Sequence, residues 1–155
     1  MNQILIVLMT TLLCGCATAI SSEQREKNTT PEKALKVYYE AINGFDREKL
    51  YETMDFPSKE SLANFNFGKK QGECEDRYKI IKKVVYDKET LKREVKKNKG
   101  DNWEKDNVAI GDVFIVTSTT IKCNDGYLHT ENFYYWLRRF DGVWKIYSHT
   151  SDSDD

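Results

Sequence analysis

The chain has no surplus of charge of either sign: 24 basic residues stand against 25 acidic ones. That near balance excludes a nucleic-acid binder, which needs a clustered basic excess, and an acidic disordered protein. The lysine clusters Lys82-Lys83 and Lys96-Lys97-Asn98-Lys99 are interleaved with Glu or Asp and read as solvated faces of secondary structure. Histidine is scarce as well. His129 and His149 do not have metal-ligand spacing and there is no Cys-x-x-Cys, so no metal and no cofactor are expected. Also missing are a glycine-rich phosphate loop, a Gly-x-Ser-x-Gly elbow and a His-Glu-x-x-His pair. His129, just after a turn and beside Glu131, reads as a surface residue. His149, near the chain end, reads as exposed on the face of Lys145 and Tyr147. Beyond residue 16 no apolar run approaches the roughly 20 residues that span a bilayer, so that part is expected to be soluble.

What is present begins at the N-terminus. Ile4 to Leu13 is an uncharged apolar run, too short for a membrane span but right for the h-region of an export signal. It ends in Leu13-Cys14-Gly15-Cys16, which resembles the lipobox of bacterial lipoproteins. The resemblance implies a signal peptide over residues 1–15 and a mature chain that starts at Cys16. The Cys16 thiol would carry diacylglycerol, and its amine an acyl chain, enough for stable membrane attachment. The n-region, Met1-Asn2-Gln3, departs from the usual pattern in having no Lys or Arg. An ordinary signal cleaved after Cys-Ala-Thr-Ala, or an uncleaved N-terminal helix, are the alternatives. The expected location is the cell envelope. In a double-membraned bacterium, Ala17 after the cysteine implies the periplasmic face of the outer membrane.

The remainder has single-domain size and is long enough for one core. It keeps two cysteines, Cys74 and Cys123, and in an oxidising compartment a disulfide between them is favoured over two separate thiols too far apart to bond. Such a bridge is worth roughly 4 kcal/mol in the loop-entropy model.

Residues 16–29 are polar, without hydrophobic period, and read as a tether with a reach of roughly 20 Å. The folded domain is expected over 30–150. Thr30-Pro31-Glu32 carries helix-start signals, and Ala34, Leu35, Tyr38, Ile42 and Phe45 form an apolar stripe that ends near Gly44. Asp46 caps a second short helix stopped by Pro57, and Ser58 to Phe65 is a weaker helical candidate. Phe67 to Asp76 reads as a glycine-containing charged loop. Tyr78 to Tyr86 fits a strand or a helix face, and its β-branched and aromatic content favours the strand. Asp87 to Lys97 is a capped helix. Gly111-Asp112, Asn124-Asp125-Gly126 and Asp141-Gly142 then punctuate three strands, Val113 to Lys122, Tyr127 to Phe140 and Val143 to Thr150. These predict an antiparallel meander whose middle run, Phe133 to Leu137, is covered on both faces. Residues 151–155 read as a disordered acidic tail.

Tyr38-x-x-Ala-Ile-Asn-x-x-Asp46, followed by a meander ending Phe140-Asp141-Gly142-Val143-Trp144-Lys145-Ile146, resembles the superfamily of nuclear transport factor two, ketosteroid isomerase and the polyketide cyclases. The resemblance implies an α+β fold: N-terminal helices packed in a curved antiparallel sheet, cone-like, with a C-terminal meander of three or four strands and a cavity in the cone. It does not imply a reaction. In the ketosteroid isomerase branch a helix-one tyrosine donates to an oxyanion, and Tyr38 matches it. The general base would fall near Leu62, which cannot take a proton, and Val113 to Lys122 offers no carboxylate for the second donor.

No catalytic residue is therefore assigned. The expected function is a non-catalytic ligand-binding or protein-assembly module, anchored to the membrane through Cys16. An envelope enzyme of isomerase or cyclase type in the same cavity is the alternative, and pairing of two copies through the sheet face a third reading. The candidate pocket residues are Tyr38, Trp103, Tyr134 and Trp136, suited to a small hydrophobic ligand or an envelope protein. A carboxylate in the cavity beside Tyr38 would favour the enzyme, and an all-aromatic lining the binder.

Overall fold

The computed structural model describes residues 28–56, 58–67, 72–97 and 107–152, without the side chains of residues 59 and 95–97. The leader, Cys16 and Trp103 lie outside the described residues. Within them the chain is an α+β domain. Three helices, α1 (Pro31–Gly44), α2 (Arg47–Thr53) and α3 (Lys59–Ala63), precede β1 (Cys74–Val85). Helix α4 (Lys88–Lys97) follows, then β2 (Val113–Cys123), β3 (Leu128–Phe140) and β4 (Val143–Ser151). The four strands form one antiparallel sheet in the order β1-β2-β3-β4.

Local chemistry sets the helix ends. Thr30, Asp46 and Ser58 each accept a backbone N–H three residues on, from Lys33, Lys49 and Ser61. Asp87 does the same for Thr90 ahead of α4. The tight β3–β4 hairpin turns on Asp141 and Gly142, with φ of 49° and 87°, the left-handed pair that matches strand twist.

Two apolar clusters sit on opposite faces of the sheet. The larger joins Leu35, Tyr38, Tyr39 and Ile42 of α1 and Leu50 of α2 to Ile115, Tyr135, Leu137 and Ile146. The smaller joins Tyr86, Val108 and Trp136 to Leu91 of α4, with Phe114, Tyr134 and Tyr147 against them. The expected cover on both faces of the Phe133 to Leu137 run is thus present.

Three boundaries differ from the sequence reading. β1 begins at Cys74, inside the segment read as a loop, because residues 74–77 pair with 120–123 of β2. Residues 78–85 are strand, the choice that their β-branched and aromatic content favoured. Asn28, assigned to the tether, is 1% exposed, and its carbonyl accepts the Trp144 N–H at 3.1 Å. Ser151, assigned to the tail, closes β4, and Asp152 accepts from Asn132 and Tyr134.

Candidate functional site

A pocket of about 560 Å³ opens between α1, the segment after α3, and the sheet face that α1 packs on. Tyr38 and Ile42 line it from α1, Phe65, Asn66 and Phe67 from the segment before β1, and Cys74 and Asp76 from β1. Ile121 and Cys123 of β2, Tyr127 of the hairpin, Glu131 and Phe133 of β3, and His149 and Ser151 of β4 complete the wall. No Lys or Arg is among these lining side chains.

Each part of the wall has a local reason for its place. Arg47 donates to the Leu62 and Phe65 carbonyls at 2.7 and 3.1 Å and lies over the Phe67 ring at 5.0 Å. That single guanidinium therefore holds both phenylalanines at the pocket edge. Asn43 of α1 brackets Asp76: its amide donates to the Asp76 carbonyl at 2.9 Å and its oxygen accepts the Asp76 N–H at 2.8 Å. β1 is an edge strand, so the asparagine takes the place of a neighbouring strand at this residue.

Behind the pocket lies a buried hydroxyl cluster. The Tyr39 hydroxyl is 3.0 Å from Thr117 Oγ1, 2.6 Å from Thr119 Oγ1 and 2.9 Å from the Tyr135 hydroxyl. Tyr78 stacks on Tyr39 at 4.1 Å, and Tyr38 meets Tyr135 edge-on at 5.5 Å. Burial pushes the phenols of Tyr38, Tyr39 and Tyr135 above their ordinary range, so they are neutral at any physiological pH. They act as hydrogen-bonding wall, not as anions.

The carboxylates differ from that wall. Glu131 stands opposite Thr119 on the pocket face, its side chain 12% exposed. Its Oε2 is buried without a hydrogen-bond partner; the His129 Nε2 is 3.9 Å away. Asp76 is half-buried on the same face. His149 is exposed, and its ring lies parallel to Tyr135 at 6.2 Å and tilted against Tyr38 at 6.3 Å.

The residues predicted from sequence divide. Tyr38 lines the pocket. Tyr134 and Trp136 do not: Tyr135 between them faces α1, and the two-residue alternation of a strand sends its neighbours to the other face, under Tyr86 and Val108. Cys74 and Cys123 are disulfide-bonded across directly opposed positions of β1 and β2, at the pocket rim. His149 was expected to share a face with Lys145 and Tyr147. It does not, because a bulge leaves Tyr147 unpaired: Trp136 pairs with Ser148 and Leu137 with Ile146. One extra residue returns His149 to the Ile146 face.

Sequence reasoning missed Asp76, Glu131, Phe65, Phe67, Tyr127 and Phe133 as lining residues. A signal existed for two of them, since Glu131 and Phe133 are at even spacing from Tyr135. With Asp76 and Glu131 in its lining, the pocket is not the all-aromatic, carboxylate-free cavity that would favour the binder. Compared with known proteins, the chain matches no family model and no curated protein.

Proposed function

We propose that this protein is a lipid-anchored envelope module that binds a small amphipathic molecule in the pocket beside Tyr38. The observation that carries the reading is the cavity itself. Its roughly 560 Å³ is not filled by side chains and falls in the usual range for small-molecule sites, about 300–1,000 Å³. Its wall combines five Phe and Tyr rings and two isoleucines with five polar side chains, a composition that buries a ligand body and fixes its orientation.

The anchor rests on Leu13-Cys14-Gly15-Cys16 and the apolar run before it. Residues 17–27 then serve as the tether that sets the domain off the membrane. The cone-like family resemblance is part of the same proposal: helix α1 against one face of a four-stranded antiparallel sheet, with a cavity between them, is compatible with it.

A second reading is favoured by a specific observation. Asp76 and Glu131 share the cavity with Tyr38 and His149, so proton donors and acceptors face one volume, as acid/base catalysis requires. Binding is preferred because the shown phenol contacts tie Tyr39 and Tyr135 into the wall, where they support shape rather than a reacting atom.

The test is a thermal-shift screen of amphipathic small molecules on the full-length chain, followed by Tyr38→Phe. A binder loses about 0.5–1.5 kcal/mol of affinity with that hydroxyl. An enzyme using it on an oxyanion loses on the order of a hundredfold or more in turnover. Absence of any shift across the screen overturns the pocket reading. For the anchor, Cys16→Ser should abolish incorporation of labelled palmitate, and retention of label overturns the lipobox.

A further inference from the structure

We propose that the pocket selects an organic cation, a protonated amine carried on an apolar body; this rests on the ligand-binding reading above and names its ligand class. Two features of the cavity point the same way. Both acidic lining residues, Glu131 and Asp76, project from the sheet face that α1 covers, and among the described residues neither Lys nor Arg joins them in the wall. Among the described lining residues the charged side chains are thus these two carboxylates, with His149 the one basic type.

The second feature is the state of Glu131. Its Oε2 is buried and accepts no hydrogen bond, and the side chain is 12% exposed. An acceptor in that condition is costly unless a donor reaches it, because burial removes water without supplying a replacement. Glu131 is on β3, a central strand, and stands opposite the buried Thr119, on the face that lines the pocket. Among the described residues none donates to that oxygen, and Glu131 itself lines the pocket.

Ligand classes can be compared on that geometry. An anion would place a further negative charge beside two carboxylates at low dielectric, where repulsion is strong. A neutral amphiphile would meet the rings of Phe65, Phe67 and Phe133 but would bring no charge to Glu131. A protonated amine supplies an N–H to Oε2 as a charge-assisted hydrogen bond, and aromatic faces attract the same cation. Its apolar body then covers the phenylalanines.

The experiment uses three probes of one shape: phenethylammonium, neutral 2-phenylethanol and anionic 3-phenylpropionate. Each is titrated calorimetrically into the full-length chain in an uncharged maltoside detergent at low salt. The expected result is phenethylammonium at least tenfold tighter than 2-phenylethanol, with 3-phenylpropionate weakest. Glu131→Gln should remove that tenfold preference. Should that variant lose its folding transition, Asp76→Asn is the substitute, with a smaller loss of preference expected. Binding of the alcohol or the acid as tightly as the amine overturns the cation inference and leaves the pocket reading standing. So does a preference that survives the substitution. Failure of all three probes to bind overturns both.

Discussion

The two faces of the sheet each carry a buried carboxylate, and the two are treated in opposite ways. Asp112, 2% exposed, is bonded from every side on the face away from α1. Arg138 grips both its oxygens at 2.9 and 2.7 Å, and the Ala109 N–H and the Tyr147 hydroxyl add bonds at 2.8 and 2.9 Å to Oδ2. Glu131, on the pocket face, has an oxygen with no hydrogen bond at all. A buried charge with all its partners organises structure: Asp112 ties the segment before β2 to β3 and β4. A buried charge lacking them costs stability, and the proposed ligand would supply the missing partner. The difference separates a structural acid from a functional one without any reference to position in the chain.

The largest expected effect lies at the rim of the pocket. Cys74→Ser with Cys123→Ser should lower the unfolding free energy by about 4 kcal/mol, the loop-closure value for a bridge of this span, read from urea unfolding. A loss below about 1 kcal/mol would mean the sheet register alone holds the rim.

Next comes the structural acid. Asp112→Ala leaves Arg138 facing a site without its anion, and should cost about 3 kcal/mol, the lower part of the range for breaking a buried pair. The lower part applies because the Arg138 side chain is 34% exposed and can turn toward water. Acid provides an independent check. Burial pushes the Asp112 carboxyl up, but Arg138, the Ala109 N–H and the Tyr147 hydroxyl outweigh it and hold the group below its ordinary 3.8. A depressed folded value means the contribution is fully present above the unfolded value and is lost as pH falls through the folded one. The urea midpoint should therefore drop steeply below about pH 4 in the natural protein and less steeply in Asp112→Asn. Parallel profiles would sink the assignment.

Tyr39→Phe should cost about 1–1.5 kcal/mol. It removes the hub of the hydroxyl cluster, yet Thr117 and Thr119 remain 3.0 Å apart and keep each other. The smallest effect is the most telling for the comparison: Glu131→Gln should leave stability unchanged or raise it by up to about 1 kcal/mol, since no bond is lost and a buried charge is. A clear destabilisation in the same urea assay would make Glu131 a structural residue like Asp112.

Much of the architecture was legible because it is local. The caps at Thr30, Asp46 and Asp87 and the turn at Asp141-Gly142 each depend on residues within a few positions, and all appear where they were expected. The three C-terminal strands fall within one residue of their expected bounds. The site was far less legible. Tyr39 was absent from the α1 stripe although it is 4% exposed, because a tyrosine whose hydroxyl finds three partners can be buried off the apolar line. Asp76 sat in what read as a loop, and only pairing with β2 makes that segment a strand.

By itself, then, the sequence determined where elements start and stop and that the second half is a meander. It did so through backbone preferences that act over a turn or less. Only the tertiary structure decided which side chains meet. The parity of Tyr135 against α1 sends Tyr134 and Trp136 away from the pocket and brings Glu131 and Phe133 in, and one bulged residue, Tyr147, reverses the expected side of His149. The physical reason is the two-residue period of a strand: a shift of one position exchanges the faces of everything beyond it, and nothing within a few residues of His149 records that shift.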